Sequence, residues 1–161
     1  MSSAPPARPR RYYRDQDTGW ISFGAFLIIV AVIYLITPNI GREVEAFFRD
    51  LRLVQIFRGF SLPLPSGSHP VVYMAAQTFC YAFGLVQIGI LGLRFAAGSS
   101  VHGKGETFGG VVFWLGAGYI IGLLSQDVLS PISFLGALIV LVGVSIIGRA
   151  LLVIALPRRP L

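Results

Sequence analysis

The chain has 161 residues, 55% of them hydrophobic and 12% charged, with 13 Lys and Arg against 7 Asp and Glu and a formal net charge of +6. Ordinary globular proteins carry about 25% charged residues, so these charges are too few to cover a water-facing surface. The basic residues flank apolar segments and form no folded face. Their partner is therefore expected to be a bilayer with anionic headgroups, not nucleic acid.

Residues 1–19 are rich in Pro, Ser, Ala and Arg, with Arg8, Arg10, Arg11 and Arg14 among them. They lack apolar periodicity and read as a disordered basic tail. Tyr12, Tyr13 and Trp20 supply amphipathic rings suited to the headgroup level. The first span is residues 20–37, charge-free and just long enough to cross a hydrocarbon core of about 30 Å. It is long for a signal-peptide core, and Thr37-Pro38-Asn39 follows it where a small-residue cleavage motif would stand, so it is expected to be retained.

Residues 40–58 read as one amphipathic interfacial helix. Ile40, Val44, Phe47, Phe48, Leu51 and Val54 recur at helical spacing, with Arg42, Glu45, Arg49 and Arg52 opposite. Thr37 is the expected N-cap, Pro38 the first helical residue and Gly59 the stop. Ser61–Pro70 reads as a loop. The remaining spans are residues 71–93, 108–124 and 132–156, with a polar connection at 95–107, a turn at Ser125–Pro131 and a short basic tail at 157–161. The fold class is thus all-α: one integral-membrane bundle of four transmembrane helices over 20–156, with one interfacial helix.

Four spans put both termini on one side. That side gathers eight basic residues (Arg8, Arg10, Arg11, Arg14, Arg94, Lys104, Arg158, Arg159) against four on the other (Arg42, Arg49, Arg52, Arg58). The positive-inside rule places the termini in the cytoplasm, in a multi-pass protein of the cytoplasmic membrane.

Arg149 is the only charge well inside a span. Its side chain either snorkels to the headgroups or forms, with Arg94 at the same depth, an anionic-lipid or anion contact. Gln77, Cys80, Gly84 and Gln87 fall in a narrow arc of the second span, near Tyr73 and Tyr81. Buried amides in lipid need partners, so this arc is expected to glue helices together, a pore lining being the alternative. Gly109, Gly110, Gly116, Gly118 and Gly122 make the third span a small-residue helix with a GxxxG match at Gly118 and Gly122. Gly136, Gly143 and Gly148 are expected to allow close packing on the fourth.

Cys80 is the only cysteine, which leaves no intrachain disulfide or CxxC pair, and its apolar neighbours suit an inert thiol. His69 and His102 fall on opposite sides and cannot share a metal. No carboxylate lies inside a span, which argues against a transporter coupled to protons or cations through buried acids. GKGE at Gly103–Glu106 lacks phosphate-loop spacing, and Asp127 reads as a solvated turn residue. Arg94, His102 and Glu106 are the only grouping that a lipid-directed enzyme could use. No cofactor or metal is implied. The expected function is that of a non-enzymatic structural or accessory subunit docking a protein partner or a second copy. A small oligomeric channel or transporter for a polar or anionic solute is the alternative.

Overall fold

The computed structural model describes residues 12–156. The expectations for residues 1–11 and for the tail at 157–161 lie outside that range, and residues 12–19, expected as part of the disordered tail, are instead helical. Five helices and two strands follow in the order α1 (Tyr12–Ile36), α2 (Ile40–Arg49), β1 (Leu51–Phe57), β2 (Phe60–Pro65), α3 (Pro70–Ala96), α4 (Val101–Ser125) and α5 (Pro131–Ala155). Four of the helices, all but α2, are long and apolar enough to cross a membrane.

Three expectations are corrected. The amphipathic helix ends at Arg49, the loop expected at Ser61–Pro70 is strand as far as Pro65, and the chain is not all-α, because Leu51–Phe57 and Phe60–Pro65 pair as an antiparallel hairpin from Leu51–Pro65 to Phe57–Phe60. Helical spacing continues through Leu51 and Val54, but apolar residues also stand at 53, 56 and 57, which surround a helix instead of lining one stripe. β-branched and aromatic residues favour a strand there. Gly59, expected as a helix stop, takes φ +87 in the hairpin turn, a conformation that glycine adopts without steric cost. Pro63 and Pro65 cannot donate to a ladder, which restricts β2 to a sheet edge. At the other end of α2 the cap is Asn39 in the left-handed region, not Thr37.

The polar connection expected at 95–107 is also shorter. α4 is already helical at Val101, where the Ser100 side chain accepts a hydrogen bond from the Gly103 N–H as an N-cap. α5 begins the same way, with Ser130 accepting from Ser133 N–H and Pro131 in the first turn.

Packing runs in a row. α3 contacts α1 on one flank and α4 on the other, and α4 contacts α5. The row is antiparallel throughout, since Gly122 lies against Gln77, Gly118 against Cys80 and Tyr81, and Gly84 against Leu115, while Gly116 faces Leu141 and Gly105 faces Val153. Cys80, Ala117 and Leu141 form the small buried core, joined by Trp114 and Phe79. Phe79 and Phe83 stack at 5.8 Å, Trp114 meets both edge-on, and Phe26 joins them from α1. Nearly all the outward side chains of α1 and α5 are large and apolar, from Trp20 to Ile154.

This packing generates a contrast between two glycines of one helix. A β-carbon at Gly84 would come within 2.6 Å of the Leu115 side chain and 3.4 Å of its backbone nitrogen, whereas one at Gly89 meets nothing. Gly84→Val should therefore cost about 1–3 kcal/mol through overpacking, while Gly89→Ala should be neutral or mildly stabilising. Reversible unfolding in mixed micelles measures both, and equal values would show that α3 and α4 are not in this contact.

Candidate functional site

Polar side chains gather at the two ends of the helix row. At the end where α3 and α5 begin, the hairpin is closed at its base by Asp50. Its carboxylate accepts from the Ser66 hydroxyl, from the Gly67 N–H at 2.6 Å and from the His69 Nε2 at 3.1 Å. Asp50 immediately precedes β1, Ser66 and Gly67 immediately follow β2, and His69 leads into α3. One side chain thus ties both hairpin strands to the first turn of a long helix. Phe47 adds apolar contact, its ring 5.3 Å from His69 and 6.3 Å from Tyr73.

The hydrogen bonds from Ser66, then His69, then Gly67 all favour the ionised carboxylate, and they hold Asp50 well below the usual carboxylate range. Although serine, histidine and aspartate meet here, the carboxylate stands between the other two. The only base Ser66 meets is a carboxylate held in its ionised, weakly basic form, and His69 makes no hydrogen bond to it, so the arrangement is that of a clasp and not of a nucleophilic triad. Beside it a cleft of about 210 Å³ is lined by Ser66, Ser68, Tyr73, Ser125 and Asp127 among others. Asp127 takes φ +57 in the α4–α5 turn.

At the opposite end Arg149 reaches across from α5 to the first turns of α4. Its Nη2 lies 3.2 Å from Glu106 Oε1 and 3.0 Å from His102 Nε2. His102 Nε2 also lies 3.3 Å from Glu106. That nitrogen accepts from Arg149 only as the Nδ1–H tautomer and donates to Glu106 only when it carries hydrogen, so the two contacts belong to different protonation states. Arg94 donates from Nη1 to the Gly103 carbonyl, and Thr107 donates to the same oxygen at 3.1 Å. Arg94 Nε is buried with no partner among the described residues. Lys104 Nζ stands 4.8 Å over the Phe95 ring.

Arg94 and Arg149 are thus brought to the same level of α4 but to opposite flanks of it. Arg149 has described partners through its Nη2 alone. It is an interhelical tie, about 40% exposed.

The remaining candidates lie along α3, α4 and α5. Gln77 lies against Gly122 and Gln87 against Gly110, and among the described residues neither amide has a hydrogen-bond partner. Gly116, Gly118 and Gly122 make close interhelical contacts. Gly136 and Gly143 do not, because they face open space on the outer side of α5. Cys80 is a free, buried thiol. His69 and His102 stand at opposite ends of the row, and no group of three or more potential metal ligands occurs among the described residues. The Asp50 clasp escaped sequence reading, because its partners lie 16 to 19 residues away. The hairpin alternation was the one signal that could have located it.

Compared with known proteins, no family model matches this chain, and neither does any curated protein or solved structure.

The clasp yields a pH prediction. A carboxylate held below its ordinary value of 3.8 stabilises the folded form above that value, and the contribution is lost as pH falls through the lower folded value. Lowering pH from 7 to 4.5 should therefore leave the hairpin closed. Asp50→Ala should open it at neutral pH, raising tryptic cleavage at Arg52 and Arg58 severalfold over wild type. Cleavage rates in the variant equal to those of wild type would show that the hairpin does not depend on Asp50.

Proposed function

We propose that the four long helices cross the cytoplasmic membrane with both termini in the cytoplasm, and that the chain is a non-enzymatic accessory subunit whose helix row is completed by a partner's helices. The observation that carries this reading is the open row. α5 has its main contacts with α4 alone. Its far side presents Gly136 and Gly143 with room around them, between exposed Ile139, Val140, Ile146 and Ile147. In lipid, helices associate where small residues admit a neighbouring backbone. The orientation rests on the basic count, with Arg94, Lys104 and Arg149 at the same end of the row as the start of α1.

A second reading, a small oligomeric channel for a polar or anionic solute, is favoured by one feature. Gln77 and Gln87 lie about 15 Å apart along α3, and in a bilayer their unpaired amides require water or another chain.

Gentle-detergent extraction at native expression level tests the main reading. The protein should migrate in a complex with a different polypeptide. Gly143→Leu should release it from that complex while changing its own stability by no more than about 0.5 kcal/mol, as expected for an unpacked position. A homo-oligomer that survives Gly143→Leu would favour the channel, and a monomer would reject both. Orientation is tested separately in a Cys80→Ser background. An impermeant thiol reagent added to intact cells should label Ser61→Cys and miss Ser3→Cys, and the reverse pattern would invert the topology.

A further inference from the structure

The space between the C-terminal half of α1, the underside of α2 and the start of α3 forms a groove of about 260 Å³. α2 roofs it with Ile40 and Val44, and Ile33, Val72, Ala76 and Phe79 line its walls. We propose that this groove holds one acyl chain of an anionic phospholipid whose headgroup rests at the level of α2 and the hairpin. The inference needs only that the long helices lie in a bilayer, and it stands whether or not the subunit reading does.

Size argues for the occupant. One turn of a protein helix, 5.4 Å long and at least 10 Å across, fills roughly 400 Å³, so a partner helix does not fit, whereas a slender hydrocarbon chain can lay part of its length in the groove and run on along the faces of α1 and α3. Depth argues for it too. Val72 and Phe79 are seven residues apart, about 10 Å along the helix, and the hydrocarbon of one leaflet is about 15 Å deep. The groove therefore runs from the roof towards the bilayer midplane on one side only, as a leaflet's chain does.

Charge selects the headgroup. On α2 and the hairpin, Glu45 is paired with Arg49, and Asp50 is occupied by Ser66, Gly67 and His69. Arg42, Arg52 and Arg58 remain against Glu43. An interfacial surface with that surplus attracts anionic lipid.

The test uses the full-length protein in vesicles of equal parts phosphatidylglycerol and phosphatidylcholine. Either lipid carries a diazirine in its acyl chain, and crosslinks are mapped to peptides. Phosphatidylglycerol label should concentrate on residues 30–44 and 72–79. Ala76→Trp, which fills the groove, should reduce that label at least about tenfold, a loss of the size expected when a binding cavity is blocked. Arg52→Gln with Arg58→Gln should keep the label but erase the preference over phosphatidylcholine. Should Ala76→Trp fail to fold, Ala76→Leu and the wild-type map still decide. Label spread over the outer face of α5 in proportion to exposure would overturn the proposal. So would a label map unchanged by both substitutions at residue 76, or a crosslinked dimer joined through α1 and α3.

Discussion

Gly118 and Gly122 let Cys80, Tyr81 and Gln77 of α3 sit directly on the backbone of α4, while Gly105, Gly109 and Gly116 do the same for α5 on its other flank. A glycine inside a helix costs about 1 kcal/mol of intrinsic propensity relative to alanine, so α4 on its own is a poor helix. It is stable because its two glycine faces admit neighbours closely enough for dispersion contacts to accumulate. For helices in lipid generally, where apolar burial drives little association, such close approach is a principal source of packing energy. The position of α4 inside the row follows from this, as does the small size of the buried core. Contact along the two flanks of α4 is made largely by side chain against backbone, with the aromatic cluster of Phe26, Phe79, Phe83 and Trp114 beside it.

With the helix seams apolar, polar ties are confined to the ends, and the two ends use them differently. Arg149, Glu106 and His102 are 40%, 51% and 70% exposed and join α5 to α4. A tie of that exposure is worth about 0–1 kcal/mol, so it sets register more than it adds stability. Asp50 acts on a segment with little other support. A two-stranded hairpin is marginal by itself, and Leu53 is 76% exposed. The clasp holds both strands where the hairpin meets α3, and in doing so it fixes α2 over the groove beside α1.

The long helices were legible because an apolar run must be long enough to cross a bilayer and proline or serine marks its start. The runs expected at 71–93 and 132–156 end within three residues of α3 and α5. α4 was shortened in the sequence reading because His102, Lys104, Glu106 and two glycines look like a loop. Their helicity depends on contacts with Arg94, Arg149 and Val153 that no local pattern announces. The hairpin was hidden by a coincidence of period. Val44, Phe47, Leu51 and Val54 satisfy helical spacing across a boundary that Asp50 in fact terminates. Arg149 stood out as a lone charge in an apolar run, but its partners lie 43 and 47 residues away. Sequence could locate the charge but not the tie.

α1 is the least committed of the long helices, and the reason is chemical. Its described contacts with α3 centre on Phe26 against Phe79 and Phe83, and glycines 19 and 24 meet nothing. Its apolar side chains are spread around the whole circumference, with Trp20, Phe23, Leu27, Ile28 and Leu35 all exposed. A helix that is apolar all round has no preferred face, so α1 is positioned by the aromatic contact and by its short connection to α2. Beyond Phe26 the groove lies between α1 and the start of α3, with Ile33 buried at its wall. A closed bundle would require small residues on the facing sides of α1 and α3, of the kind α4 offers to both of its neighbours. Along the groove α1 offers none, since the residues it lines the groove with are Val30, Ile33 and Tyr34.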